Sequence, residues 1–241
     1  MFYVEEARHE RAELRGETAR HLRKVLRAEC GYRCEVSDNE SLWLAEVEDL
    51  GRDEVTFKLL ERLAPPRLPV EIRLYASLVK FDAFEWMLEK ATELGAASIT
   101  PVYALRTDKG LDEAALKRNE RWQRIVFESG QQSRRIPRPE LHAPLRLAEA
   151  LSAEAISNDA AQRLFCDEDE AAAPLLAGLG LEQPVAVMIG PEGGWDSRER
   201  DAAHQAGWRS VSLGPQILRA ETAVCAALAV ISARFLLRAE K

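Results

Sequence analysis

The chain has no paired cysteines. Cys30, Cys34, Cys166 and Cys225 show no C-x-x-C spacing and no neighbouring histidine pattern, which argues against a zinc site or a disulfide framework and leads us to expect reduced thiols and no metal. Long hydrophobic runs are also missing. The longest, residues 223–231, falls far short of the roughly 20 that span a bilayer, and the first four residues carry no signal-peptide pattern, so a soluble, cytoplasmic protein with no membrane partner is expected. Neither G-x-G-x-x-G nor a P-loop ending in G-K-[ST] is present, which disfavours NAD and ATP relative to a nucleotide-like ligand without a triphosphate. Positive charge is short overall: the net charge of −7 argues mildly against nucleic acid, which proteins hold largely through Lys and Arg.

The distribution of charge is more informative than its sum. Between residues 117 and 138 seven bases (Lys117, Arg118, Arg121, Arg124, Arg134, Arg135, Arg138) stand against Glu120 and Glu128. Such a stripe is either an RNA footprint or a solvated helix face.

With 241 residues and 46% hydrophobic content, the chain can build one large domain or two modest ones. Residues 1–66 read as a small β-rich module, with strand patterns at 33–36, 42–47 and 54–60 and a short helix near 18–26. Pro65, Pro66 and Pro69 mark a boundary, because proline denies a backbone donor and favours extended chain. From residue 70 to 241, strands and helices alternate as in an α/β domain: strands at 70–76 and 98–103, helices at 82–94 and at 112 to about 131.

The rest is organised around residues 185–226. Residues 185–189 are apolar and too short for a helix, and Gly190-Pro191-Glu192-Gly193-Gly194 breaks the strand. Asp196 with Glu199 three residues on predicts a capping box and a helix ending at Gly207. A strand at 208–213, a turn at Gly214-Pro215 and an Ala- and Val-rich helix at 220–237 follow. Two glycine turns would therefore follow two adjacent strands at one edge of a parallel sheet, where open α/β sheets bind ligands. Ordinary tight turns are the competing reading.

Ile189-Gly190-Pro191-Glu192-Gly193-Gly194, together with residues 213–223, LGPQILRAETA, resembles the paired signature of the RsmE family of 16S rRNA uridine-N3 methyltransferases, in the SPOUT superfamily. Lys80, the run Lys90-Ala91-Thr92-Glu93-Leu94-Gly95, Gln132-Ser133-Arg134-Arg135 and residues 21–27 resemble further family elements. Gln216 departs from the family's usual arginine, and Gly31-Tyr32 and Ser37-Asp38-Asn39 depart in the N-terminal module. The resemblance implies a PUA-like barrel over 1–66 and a SPOUT domain with a deep trefoil knot over 70–241. It implies S-adenosylmethionine (SAM) held by Ile189, Gly190, Gly194, Leu213, Gly214, Ile217, Leu218, Glu221 and Thr222, and RNA contacts from Arg23, Lys24, Arg27, Lys80, Arg134 and Arg135. The expected reaction is methylation of N3 of uridine 1498 in 16S rRNA of the 30S subunit, by a homodimer. Uracil N3 carries a proton, so a cation that stabilises the developing anion would help; Arg219 and Arg135 are the candidates. Glu192 and Glu221 are conceivable bases, with Glu221 better placed to cap the last helix or hold the cofactor loop. Methylation of another RNA atom, such as a ribose 2′-hydroxyl, and a non-catalytic RNA-binding assembly factor are the alternatives.

Overall fold

The computed structural model describes residues 1–5, 7–8, 10–108, 110–156, 162–169, 172–181 and 184–239. They divide into two compact units, Met1–Arg67 with Gly130–Arg138, and Leu68–Ser129 with Pro139–Lys241.

The first unit contains β1 (Phe2–Tyr3), β2 (Ala7–Arg8), β3 (Arg11–Arg15), α1 (Gly16–Lys24), β4 (Arg33–Ser37), β5 (Leu42–Leu50) and β6 (Glu54–Leu63). Its strands form one sheet in the order β1-β4-β5-β6-β3-β2. Alternation sets the buried face: in β3, Ala12 and Leu14 point inward between exposed Arg11, Glu13 and Arg15. They join Leu22 of α1, Val36, Val47, Val55 and Phe57 in a core of their own.

The second unit contains β7 (Ile72–Ser77), α2 (Phe81–Glu93), β8 (Ala96–Tyr103), α3 (Leu111–Lys117), most of α4 (Asn119–Ser133), β9 (Glu140–Leu141), β10 (Leu145–Arg146), α5 (Leu147–Ile156), β11 (Gln162–Cys166), β12 (Ala173–Pro174), α6 (Leu175–Gly178), β13 (Val185–Ile189), α7 (Ser197–Gln205), β14 (Arg209–Ser212) and α8 (Ala220–Ala239). Its parallel sheet runs β10-β8-β7-β13-β11-β14-β12, with β9 beside β8. Helices cover both faces. Val185, Val187 and Ile189 join α2 and α8 in one core, whereas Ala186 and Met188 join α5 and α7 in the other. A central parallel strand buried on both sides is therefore apolar throughout rather than alternating, which is why residues 185–189 read so clearly.

Two expectations are corrected. The single helix at 112–131 is two, α3 and α4, separated by a turn at Arg118. The guanidinium of Arg118 lies over the Phe81 ring and, with Arg121, binds the carboxylate of Glu85, which is 7% exposed. The two glycine-turn strands are not adjacent either, because β11 lies between β13 and β14 and pairs with both. By length and composition α8 is apolar enough over Ala220–Leu237 to cross a membrane, at mean hydropathy 1.7, yet a third of it is buried, against α2, β7 and β13.

Candidate functional site

Because every strand pair in this sheet is parallel, the turns that leave β11, β13 and β14 emerge at one edge and enclose a cavity with about 680 Å³ of atom-free space, mouth included. Its walls are residues 166–168, residues 189–195 less Glu192 and Gly193, and residues 212–218; Ala220 and Ala223 of α8 close one side. Gly194 (φ +66) and Gly214 (φ +133) hold backbone conformations that side chains resist, so these turns need glycine. Gly190 is glycine for a different reason. A Cβ there would lie 3.0 Å from the ring of Trp195, which is 2% exposed, stacks on Phe165 at 4.5 Å and donates its Nε1–H to the Cys166 carbonyl at 2.9 Å.

The turns are bound to one another by charged groups beneath them. Asp167, whose side chain is 1% exposed, accepts from Arg200 Nε at 2.7 Å and Nη2 at 2.9 Å, and Arg200 Nη1 donates to the Trp195 carbonyl at 2.7 Å. The expected capping box is present: Asp196 accepts from Arg198 N, and Glu199 accepts from Asp196 N at 2.9 Å. Glu199 is buried and does a second job, accepting the Leu105 N–H at 2.7 Å, while Arg106 Nη1 donates to the Gly193 carbonyl at 2.8 Å. The loop after β8 thus holds the glycine turn after β13 from outside.

Of the residues expected at a cofactor, Ile189, Gly190, Gly194, Leu213, Gly214, Ile217 and Leu218 line the cavity, whereas Glu221 and Thr222 do not. Thr222 is exposed; Glu221 is half-buried in the first turn of α8, with Oε2 buried and lacking a hydrogen-bond partner. Arg219 is exposed just before α8, its carbonyl accepting from Ala223 N at 2.8 Å. The lining suits a ligand with a flat apolar part and a cationic part: Ile189, Leu213, Leu218, Ala220 and Ala223 supply apolar wall, and Glu168 supplies negative charge. Sequence reasoning missed Cys166, Asp167, Glu168 and Trp195. The available signal was the strand-like run at 162–166, followed by four acids at 167–170, which belongs to the same pattern as residues 185–190.

The basic residues are placed less uniformly than their spacing suggests. Arg23, Lys24 and Arg27 are exposed at the end of α1, near exposed Val25, Leu26 and Tyr32. Lys80 is exposed between β7 and α2. Arg134 is exposed, 3.4 Å from Glu35. Arg135 differs from these. It is 6% exposed, burial pushes its guanidinium pKa down, and its carbonyl accepts from the Tyr3 hydroxyl, so its side chain is not offered to a base or a phosphate. The stripe at 117–138 is largely matched by protein groups: Arg118 and Arg121 by Glu85, Arg124 by Glu128, and Arg138 by the Tyr3 ring and Asn39. Among the described residues no group of three or more His, Cys, Asp or Glu could hold a metal ion.

Residues 66–232 match the RNA methyltransferase domain family, and residues 14–60 match the RNA methyltransferase PUA domain family. Ribosomal RNA small subunit methyltransferase E from Aquifex aeolicus is 32% identical to the chain, over 96% of the chain and 98% of the relative. The chain belongs to the ribosomal RNA small subunit methyltransferase E family. The Synechocystis sp. member is 35% identical, over 88% of the chain and 70% of the relative. The crystal structure of the Neisseria gonorrhoeae member, bound to S-adenosylmethionine, superposes with a TM-score of 0.86 at 29% identity, covering 97% of this chain and 96% of the other. Placed in this family, the α/β unit is a methyltransferase domain that uses SAM, preceded by a PUA-like β unit.

Proposed function

We propose that the chain transfers the methyl group of SAM to N3 of uridine 1498 in 16S rRNA of the 30S subunit, with residues 1–66 as an RNA-binding PUA-like domain and residues 70–241 as a knotted SPOUT catalytic domain. The observation that carries this reading is the cavity at the edge of the parallel sheet, walled by the two glycine turns that also carry the family signature. When bound, the cofactor supplies a methyl group on a sulfonium, an electrophile that needs no metal.

The protein's own residues supply position and charge. Ile189, Leu213 and Leu218 offer apolar surface to a purine, and Gly190, Gly194 and Gly214 keep side chains out of its path. Ile217, 84% exposed at the rim, would cover the outer side of a bound cofactor. Glu221 and Thr222 act on the loop rather than on the ligand, through the first turn of α8. Uracil N3 must lose a proton as the bond forms, and that edge is available only in an unpaired base. Arg219 is exposed beside the cavity wall, and Gln216, at the family's usual arginine position, brings no charge; Arg219 therefore stabilises the developing anion on the uracil oxygens. Of the cations that the resemblance assigns to RNA, Lys80, Arg134, Arg23, Lys24 and Arg27 are exposed and would serve RNA binding. The substrate places the enzyme in the cytoplasm. Thr222, Ala229, Ala233, Leu236 and Leu237 leave an exposed small and apolar face on α8, which supports a homodimer formed through that helix.

The test is to incubate the protein with labelled SAM and unmodified 30S subunits, digest the RNA and identify the nucleoside. N3-methyluridine is expected; a 2′-O-methylated product, or none, would favour the two alternatives. Arg219→Gln should lower the single-turnover rate about 10²- to 10³-fold while SAM and RNA binding change little, with partial recovery at high pH where uridine ionises unaided. An unchanged rate with weaker SAM binding would move Arg219 to the cofactor loop.

A further inference from the structure

One carboxylate at the cavity has no hydrogen bond or ion pair among the described residues. Two acids line the cavity. Asp167 is buried and neutralised by Arg200. Glu168, the next residue, is exposed, and among the described residues no hydrogen bond or ion pair engages its carboxylate. Its Oε1 lies 2.6 Å from where a Cβ on Gly194 would be, so the carboxylate leans over this glycine turn at the cavity. No Lys, Arg or His lines the cavity; Arg200, behind the wall, forms its ion pair with Asp167 and reaches Glu168 only through space.

A carboxylate with no hydrogen bond or ion pair of its own in a pocket favours a cationic occupant over a neutral one of the same shape. SAM and its spent form, S-adenosylhomocysteine, share adenine, ribose and amino-acid groups and differ in one methyl and one positive charge at sulfur. We propose that Glu168 is the residue that discriminates charged cofactor from spent cofactor, strengthening the hold on the sulfonium and weakening it once the charge has gone. This rests on the SAM reading above and deepens it. Asp167 cannot serve, since both its oxygens are committed to Arg200, and Glu192 and Glu221 are not part of the lining.

The experiment is calorimetric titration of the full chain with SAM and with S-adenosylhomocysteine, at low ionic strength where such a term is least screened. Glu168→Gln should weaken SAM binding about 3- to 100-fold, the range for two charges about 6 Å apart between aqueous and surface dielectrics, and leave S-adenosylhomocysteine within about 2-fold. Glu168→Asp, which keeps the charge, should keep most of the preference, and added salt should shrink the wild-type preference but not that of Glu168→Gln. Equal weakening of both ligands would overturn the proposal, pointing to a hydrogen bond to a group they share; no change in either would also overturn it. Wild-type protein that binds neither ligand would overturn the SAM reading and this proposal with it, an outcome distinct from the other two. Thermal melts of both variants separate lost contact from lost fold.

Discussion

Replacing Arg200 with leucine should uncover how much of this fold depends on one buried charge. Asp167 makes both its hydrogen bonds to Arg200, and its side chain is 1% exposed, so Arg200→Leu leaves a carboxylate in the interior with no partner. Orphaning a buried ion in this way costs about 3–5 kcal/mol. Arg200 itself is 25% exposed, and water entering along its path lowers the cost to the bottom of that range. The Trp195 carbonyl loses a donor as well, which adds about 1 kcal/mol. A loss of about 3–4 kcal/mol corresponds to a fall of about 6–16 °C in melting temperature for a chain of this size. Asp167→Asn in the Arg200→Leu background removes the orphaned charge and should return about 2 kcal/mol, so a double-mutant cycle in urea reads the coupling directly. Asp167 and Trp195 line the cavity and Arg200 holds both, so SAM affinity should fall with Arg200→Leu and recover in part in the double variant. A loss below about 1 kcal/mol, or a coupling near zero, would refute the reasoning.

Arg106→Ala removes the donor to the Gly193 carbonyl from an exposed loop, so SAM affinity should fall about 3- to 10-fold, the size of one hydrogen bond, with little change in melting temperature; unchanged affinity would separate that loop from the cavity. Burial pushes the Cys166 thiol up to about 12, and Cys34 to about 11, so iodoacetamide at pH 8 should label exposed Cys30 first and reach Cys166 only in denaturant, by mass spectrometry of digests. Hydrogen bonds from Arg121, then Arg118, hold Glu85 below the usual carboxylate range; its stabilisation is present above pH 4.5 and is lost as pH falls through the folded value. The urea midpoint of wild type should therefore drop more steeply between pH 5 and 3 than that of Glu85→Gln, and parallel curves would contradict this.

What the sequence disclosed followed from how locally each feature is encoded. The strand at residues 185–189 was readable to the residue, because burial on both faces demands an unbroken apolar run, and Asp196 with Glu199 announced α7 because a capping box is made by side chains three apart. The turn at Arg118 was hidden, since the pattern of α3 continues into α4 and the break is stabilised by Glu85, 33 positions away. The adjacency of the two glycine turns was wrong for a related reason: sheet order is a long-range property, and nothing near residues 190 or 214 states that residues 162–166 lie between their strands. Glu168 and Trp195 went unnoticed as cavity residues for that reason alone. The burial of Arg135 was not legible because adjacent arginines look alike in sequence, whereas chain direction buries one and exposes the other.

The insertion of β11 between β13 and β14 has a temporal side. Cavity walls come from residues 166–168, 189–191 with 194–195, and 212–218 with Ala220 and Ala223, so on a ribosome-bound chain the last wall emerges after all the others. Until β14 reaches the free edge of β11, that edge is an unpaired parallel strand and the glycine turn at Gly190 faces open water. The nascent chain therefore cannot hold its cofactor until residues 209–223 have left the exit tunnel, and cofactor binding reports completion of the sheet rather than assisting its early steps.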